Sequence, residues 1–247
     1  MKKTILVLFL AAATFVLPSG CSTKKGEADK VAVIENILMN RQSVRRYTDQ
    51  KVSEETLLKV LWAGNGVNRD DGRRTAPSAI NAQDVEQYLC TEVTYRYNPE
   101  SNALEKVADV DIRPIIQAQN SFILKQPVIL LFSDQTKFQR GPRGPRPDGP
   151  APEGIPEGTQ VSAPEGDFAN RAGMQVPSSR AQESGISRFS GLDVGIVSQN
   201  ISIYCTAAGL GTVPCAPRIP AEEVQAALGL PRTMIPLLYH PIGYPIK

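Results

Sequence analysis

Three arginines surround a serine in the sequence RQSVRRYTD, residues 41–49. Arg41, Ser43 and Arg45 stand at alternate positions, so an extended backbone would point their side chains to one face. Two guanidiniums and a hydroxyl on one face offer the hydrogen-bond donors that phosphate and polyol groups need. The pattern leaves two interpretations open, a solvated charged surface or a site for a phosphate-bearing ligand.

A second polar stretch, GRRTAPSAINAQ, covers residues 72–83. Its side chains Ser78, Asn81 and Gln83 can all form hydrogen bonds. The composition suits the N-terminus of a helix with Ser78 as its cap, and it suits a structural turn equally well. The sequence alone does not choose between these two interpretations.

The composition argues against several other chemistries. The 247 residues carry a net charge of +2, so bulk electrostatics gives no indication of nucleic-acid binding. His240 is the only histidine, which disfavours a Ser-His-Asp triad, and we expect it to lie in a core strand or at a subunit contact. The four cysteines show no CxxC spacing, so no metal site is predicted. The odd number left after Cys21 allows at most one disulfide among Cys90, Cys205 and Cys215.

The N-terminus resembles a bacterial lipoprotein signal. Lys2 and Lys3 precede the apolar run TILVLFLAAATFVL, which is short for a membrane span, and Ser19 and Gly20 precede Cys21. We predict a signal peptide over residues 1–20, lipidation of Cys21 and a polar tether over 21–30. The protein would then be a membrane-anchored lipoprotein on the periplasmic or cell-surface side. Ordinary cleavage near Gly20 and an uncleaved anchor remain the alternatives.

The remaining sequence predicts an α+β fold over residues 31–247. A helix with one buried apolar stripe is expected from Val31, and Ser53 is expected to cap a second helix. NPES reads as a hairpin turn, PVILLF as a buried strand and MIPLLYHPIGYPIK as a final strand region. The stretch GLDVGIVSQNISIYCTAAGLGT has no charge after Asp193, which predicts a central, buried helix ending near Gly209 or Gly211.

Residues 137–187 interrupt this pattern. Their central part, GPRGPRPDGPAPEGIPEGTQVSAPEG, is rich in proline and glycine and lacks the three-residue glycine period of collagen. We predict a long insertion loop that is mostly disordered, because it has too little apolar surface to offset its ordering entropy. It is either a tolerated surface insertion or a lid or partner-binding arm.

Four motifs in order resemble the nitroreductase family of FMN-binding oxidoreductases. They are the R-x-S-x-R-x-aromatic segment at 41–47, A-P-S-x-x-N-x-Q at 76–83, D-x-G-x-x-x-Q-N at 193–200 with G-L-G-T at 209–212, and G-Y-P at 243–245. The resemblance runs from about Val33 to Lys247, and NRDDGRRTAPSA is similar to a subgroup related to the dehydrogenases that oxidise azoline rings. It implies a mixed, mainly antiparallel sheet flanked by helices, in a homodimer with two sites at the interface.

The resemblance also implies which residues bind FMN. Those matching the phosphate, ribityl and pyrimidine contacts are Arg41, Gln42, Ser43 and Arg45. Pro77, Ser78 and Asn81 match a segment that reaches the flavin from the partner subunit. Gln119 matches a further polar contact, and Lys247 stands where the family places a basic phosphate ligand. The segment with Cys215 and Ala216 matches a turn whose backbone N–H groups contact the ring edge.

One departure from the family pattern concerns that turn. Pro217 stands about where the family has glycine, and proline has no N–H to donate. Either Ala216 supplies this hydrogen bond or it is lost, and its loss would affect the redox potential of the ring. Cys215 beside it is expected to be a small core residue.

The resulting hypothesis is an FMN-dependent oxidoreductase that transfers hydride or electrons to or from a small nitro, quinone or heterocyclic molecule. No catalytic side chain is predicted, because the flavin carries the chemistry. NAD(P)H is the family's usual donor, whereas an exported protein needs an extracytoplasmic donor. The alternatives are a non-catalytic flavin- or ligand-binding surface lipoprotein and a lipoprotein whose Pro/Gly-rich arm binds a partner.

Overall fold

The computed structural model describes residues 22–117, 125–138, 186–217 and 220–246, in two units, Met1–Asn40 and Arg41–Lys247. In the first unit, helix α1 spans Ser22–Asn40 and so includes the segment expected to be a tether. The buried stripe predicted for this helix is wrong for this chain, because Val33, Ile34 and Leu38 are each at least half exposed. A single amphipathic helix buries such a stripe only against a partner surface.

The second unit contains a five-stranded antiparallel sheet. Its strands lie in the order β3-β2-β1-β4-β5 and span Val85–Cys90 (β1), Thr94–Asn98 (β2), Ala103–Ala108 (β3), Val128–Asp134 (β4) and Met234–Pro241 (β5). Its helices are α2 (Glu54–Asn65), α3 (Arg113–Gln117), α4 (Ser190–Ala207) and α5 (Ala221–Leu228). The predicted α+β class with a mainly antiparallel sheet is confirmed.

Strand β4 is buried on both faces, which explains its unbroken apolar sequence. Ile129 and Leu131 pack with α2 and α4 in one core cluster. Val128, Leu130 and Phe132 pack with α3 and α5 in the other. Alternate side chains of one strand therefore contribute to the cores on opposite sides of the sheet. Among the described helices, none has both the length and the hydrophobicity of a membrane span.

Helix α4 is central, but it is buried on one side only. Val194, Val197 and Ile201 are buried in the core, whereas Leu192 is 63% and Ile196 36% exposed. The helix ends as predicted, because Gly209 adopts a φ of 70° that glycine tolerates without steric cost. A helix whose only charged residue is the buried Asp193 thus presents an apolar surface to solvent in the single chain.

The side chain of Gln135 joins the two ends of the insertion. Its Oε1 accepts from the Ser187 N–H over 2.7 Å, and its Nε2 donates to Ser190 Oγ over 3.0 Å. Gln135 itself is buried. The central part of the predicted loop, with the disorder expected for it, lies outside the described residues. The chain therefore leaves and re-enters the fold at neighbouring points.

Local signals in the sequence specified several of these elements. Ser53 caps α2 by accepting from the Thr56 N–H over 3.2 Å, and NPES turns the chain between β2 and β3. Strand β3 was not predicted, because its charged residues Glu105 and Lys106 obscure the alternation. It lies at the edge of the sheet, where half-exposed strands are common.

Candidate functional site

The segment 41–48 is held between two distant parts of the chain. Its Val44 N–H donates to the Thr212 carbonyl over 3.0 Å, and its Thr48 N–H donates to the Tyr244 carbonyl over 2.8 Å. The Ile246 N–H donates in turn to the Arg46 carbonyl over 3.2 Å. The basic segment, the G-L-G-T turn and the C-terminal segment are thus joined by backbone hydrogen bonds, as the sequence hypothesis requires.

Two glycines allow these backbones to approach. A Cβ added to Gly211 would lie 2.6 Å from a methyl of Val44, and one added to Gly243 would lie 2.9 Å from the Tyr47 ring. Real Cβ atoms do not come so close to other atoms, so glycine is required at both positions. Because Val44 packs inward over Gly211, the alternation of an extended chain directs its neighbours Ser43 and Arg45 away from this contact.

The arginines of this segment form no ion pair with any residue that the structure describes. By contrast, Arg73, Arg96 and Arg113 each lie within 3.2 Å of a carboxylate oxygen. Arg45 and its neighbour Arg46 are exposed, Arg41 is half-buried, and the side chains of Gln42 and Ser43 are exposed. An unneutralised basic segment on a fixed backbone is suited to an anionic ligand.

The positive charge of Arg45 acts on the turn that follows G-L-G-T. It lowers the pKa of the half-buried Cys215 thiol, although burial has the larger effect and raises that pKa overall. The same guanidinium opposes the burial that raises the pKa of Tyr47. The charge of Arg45 therefore reaches both residues, and the thiol stays protonated at neutral pH.

The turn itself offers one backbone donor. Cys215 pairs with Tyr239 of β5 through both its N–H and its carbonyl, each over 2.9 Å. The following Ala216 is exposed, and its N–H makes no hydrogen bond to the described part of the chain. Pro217 has no N–H to give. Of the two backbone positions considered for this turn, only Ala216 has an N–H, so its role there stays a prediction. Cys215 packs at the edge of the core, as expected.

The 76–83 loop forms a turn and not a helix N-terminus. Ser78 does not cap a helix, and its Oγ instead accepts from the Gln83 N–H over 2.9 Å. Only one 3₁₀ turn follows, at Ala79–Asn81, because Ile80, Asn81 and Gln83 have φ values of 50–54°. Left-handed backbone at a β-branched residue such as Ile80 is uncommon and strained, so the surrounding structure must impose it.

Helix α4 supplies the group that fixes this loop. Both carboxylate oxygens of Asp193 accept from the Ala79 N–H over 3.0 Å. Asp193 is buried and lies next to Asp84, which is fully buried and precedes β1. Neither aspartate was predicted to be a site residue, although Asp193 begins the D-x-G-x-x-x-Q-N motif. A lone acidic residue in the first turn of an otherwise uncharged helix is the signal that would have indicated one.

His240 connects the core to the basic segment. It is fully buried in β5, with its Nδ1 3.1 Å from Thr212 Oγ1 and its Nε2 2.8 Å from Ser198 Oγ. Burial lowers its pKa to about 3, so the ring is neutral at physiological pH. The expectation that it is a core residue is confirmed. Thr212, which this histidine orients, carries the carbonyl that binds the Val44 N–H.

A neighbouring cleft of about 380 Å³ opens beyond the basic segment, beside Asp49, Lys51, Arg113 and Lys125. Its charges are largely matched. Lys125 lies 3.3 Å from Asp49, and Arg113 lies 2.8 Å from Asp111. Because Arg113 and Lys125 already have carboxylate partners and Lys51 is the one cation left, this cleft is a poorer anion site than the basic segment among the described residues.

Three predicted residues, Cys21, Gln119 and Lys247, lie outside the described residues, so their roles stay predictions. The thiols of Cys90, Cys205 and Cys215 are free. Burial raises the pKa of Cys205 to about 12 and that of Cys90 still further. Neither thiol has the ionised character of a reactive cysteine.

These observations define an α+β protein with a strained loop, an exposed turn at Ala216 and a basic segment that forms no ion pair in the described part of the chain. The sequence profile of the Nitroreductase family matches residues 38–244. The chain therefore belongs to the nitroreductase family, and this confirms the predicted family and, at that level, its oxidoreductase class.

The comparisons with individual proteins agree with this. The chain is 24% identical over 227 residues to a provisionally named nitroreductase of Methanocaldococcus jannaschii, covering 87% of this chain and 92% of that one. The crystal structure of a provisionally named nitroreductase from Ralstonia eutropha has a TM-score of 0.62 at 22% identity, over 87% of this chain and 83% of that one. The nitroreductase family protein of Streptococcus pneumoniae has a TM-score of 0.51 at 17% identity, over 86% and 90%. The two solved structures share the fold.

Proposed function

We propose that this protein is an FMN-dependent oxidoreductase whose basic segment binds the flavin phosphate. The observation that carries the proposal is that Arg41 and Arg45, on a backbone fixed to Thr212 and Tyr244, form no ion pair within the described residues. A dianionic phosphate satisfies such guanidiniums, and the exposed Ser43 hydroxyl adds a neutral donor. Gln42, Gln119 and Lys247 complete the proposed set of polar contacts.

The donor set also fits the isoalloxazine ring. Bound FMN supplies hydride and electron transfer, and the protein supplies position and electrostatics. Ala216 is exposed, its N–H has no hydrogen-bond partner among the described residues, and it follows a residue fixed to β5 by two hydrogen bonds. Such a rigid donor stabilises negative charge at the ring edge without reorganising. No side-chain acid or base is needed in this scheme, which is consistent with the neutral, buried state of His240.

A homodimer is part of the proposal. The exposed apolar side chains of Leu192 and Ile196 on α4, with Ile80 at 45% exposure in the adjoining loop, form a surface that solvent disfavours. A second copy of the chain on this surface would bury these residues. It would also bring Pro77, Ser78 and Asn81 to the partner's flavin. The family's members are generally dimers, which supports the same arrangement.

The substrate is proposed to be a small organic molecule with a nitro, quinone or heterocyclic group, and the azoline-dehydrogenase-like subgroup favours the last. We further propose that Cys21 is lipidated and holds the protein on a membrane, outside the cytoplasm. The electron donor is then NAD(P)H if that molecule is available outside the cytoplasm. Otherwise the electron donor is another reductant of that compartment. These statements rest on the motifs of the sequence.

The spectrum of the purified protein tests this function. We expect the absorption of oxidised flavin, bleaching with NADH or a quinol without oxygen, and recovery on adding a quinone or nitroaromatic acceptor. A protein that binds flavin but cannot be turned over by any donor supports the alternative, a non-catalytic flavin-binding lipoprotein. The missing N–H of Pro217 is the feature that favours this alternative.

A further inference from the structure

Asp84 and Asp193 form a pair of carboxyl groups in the core. Asp84 is 0% and Asp193 3% exposed, and the two lie close enough for Asp193 to raise the pKa of Asp84. Asp84 Oδ2 accepts from Ser133 Oγ over 2.5 Å, whereas Asp84 Oδ1 has no donor in the described structure. Two ionised carboxylates in contact away from water repel strongly, so one of them must carry a proton. That proton, on Asp84 Oδ1, also satisfies the unpaired oxygen.

The surroundings decide which group is ionised. Asp193 accepts the Ala79 N–H with both oxygens and lies in the first turn of α4, where the helix dipole favours negative charge. Asp84 accepts from the Ser133 hydroxyl, which lowers its pKa, but burial and the neighbouring Asp193 outweigh this hydrogen bond and raise the pKa to about 7. The shared proton therefore resides on Asp84.

Charged side chains on the elements that pack around Asp84 and Asp193 interact with other groups. Asp134, at the end of β4, accepts from the N–H and hydroxyl of Thr136. Arg188, before α4, lies 4.8 Å from the centre of the Phe189 ring. None of the groups that shift the pKa of Asp84 is a lysine or an arginine. Within the described residues, no cation replaces the proton.

We propose that Asp193, through the proton it shares with Asp84, is the positioning residue of the 76–83 loop. The Asp193 carboxylate holds the Ala79 N–H, and this bond keeps the following Ile80 and Asn81 left-handed. Loss of the proton sets two negative charges against each other, weakens the hold on Ala79 and lets the strained backbone relax. If the proposed function is correct, flavin binding also depends on whether this proton is present, because the loop carries Ser78 and Asn81.

Amide hydrogen exchange at Ala79 tests the proposal in the full chain. After correction for the intrinsic rate, we expect protection in the wild type to fall at least ten-fold between pH 5.5 and pH 8.5. Asp84→Asn keeps a donor toward Asp193 without a titrating proton, so protection should stay high across this range. Asp193→Ala removes the acceptor and should lower protection at least ten-fold at every pH. Equal pH dependence in Asp84→Asn and the wild type would overturn the proposal.

A measurement on the wild-type protein keeps the proposal testable if the variants do not fold. In carbon-13 NMR of labelled aspartate carboxyl groups, we expect one carboxyl to titrate near neutral pH, and Asp84→Asn or Asp193→Asn to remove that transition. All aspartates titrating below about pH 5 would overturn the inference. Neither readout needs flavin. A colourless protein with a pH-dependent Ala79 amide would refute the proposed function and leave this inference standing.

Discussion

The Val44 N–H and the Thr212 carbonyl, 3.0 Å apart, join two segments separated by most of the domain. This hydrogen bond fixes the backbone between Ser43 and Arg45, and it places these residues beside the turn that carries Cys215 and Ala216. The arginines therefore extend from a backbone that is fixed before any ligand arrives. Preorganisation of this kind reduces the entropy lost on binding.

Removing either proposed phosphate ligand should weaken flavin binding. Arg41→Ala or Arg45→Ala is expected to reduce FMN affinity by about 1.5–3 kcal/mol, the range for a hydrogen bond to a charged group. Fluorescence titration of the apoprotein with FMN measures this. Arg46→Ala is the matched control in the same segment, and its effect should be clearly smaller. Unchanged affinity in both Arg41→Ala and Arg45→Ala would refute the site.

The glycine beneath Val44 should not tolerate a side chain. Gly211→Ala places a methyl 2.6 Å from Val44, so overpacking is expected to destabilise the fold by about 1–3 kcal/mol and to displace the basic segment. Gly191→Ala is the control, since its added Cβ meets no atom within 4 Å. Urea unfolding measures both variants. A Gly211→Ala protein as stable as the control would show that this contact is not tight.

Two buried groups should make opposite contributions to the pH dependence of stability. Asp84 binds its proton more tightly when folded, so its contribution is complete below about pH 4 and is lost as the pH rises toward about 7. His240 is neutral in the fold, so its contribution is lost as the pH falls from 6.5 to about 3. Each slope is at most about 1.4 kcal/mol per pH unit.

Single variants separate these two slopes, which oppose each other in the wild type. As the pH rises from about 4 to about 7, the free energy of unfolding of Asp84→Asn should increase relative to that of the wild type. As the pH rises from about 3 to about 6.5, the free energy of unfolding of His240→Gln should decrease relative to that of the wild type. Urea unfolding at several pH values measures the differences. Parallel profiles for all three proteins would show that neither group titrates differently on folding.

Deleting residues 141–166 should leave the fold intact. Gln135 contacts Ser187 and Ser190, so both ends of the insertion stay in place without its central part. Roughly halving a flexible loop changes its closure entropy by only about 0.6 kcal/mol. The melting temperature and far-UV circular dichroism should therefore match those of the wild type. Loss of soluble, folded protein would assign the insertion a structural role.

A charge on the exposed face of α4 should disrupt the proposed dimer. Leu192→Lys adds a cation to an apolar surface, where a buried, unpaired charge is costly. In sedimentation velocity, the Leu192→Lys protein should sediment as a monomer. It should also have lost its bound flavin, which the flavin absorbance measures. Lys106→Glu, an exposed change on strand β3, should leave the assembly unaltered. A wild-type protein that sediments as a monomer would contradict the interface directly.

Short-range signals predicted much of the fold. These signals act within a few residues, so they can be recognised in the sequence. They are the Ser53 cap, the NPES turn, the PVILLF strand and Gly209. The contacts that build the site join distant residues, such as Ala79 with Asp193 and Thr212 with His240. The secondary-structure propensities of residues carry no information about which distant residues will pair. For the same reason the sequence could not choose between a Ser78 helix cap and a structural turn, and the structure shows the turn.

The binding of FMN compared with riboflavin tests the central claim most directly, because the two ligands differ by the phosphate alone. If the basic segment binds that phosphate, the apoprotein should prefer FMN by at least about 100-fold, corresponding to about 2.7 kcal/mol. Arg45→Ala should reduce this preference. Equal affinities for the two flavins, or no binding of either, would contradict the assignment of residues 41–45 as the phosphate site.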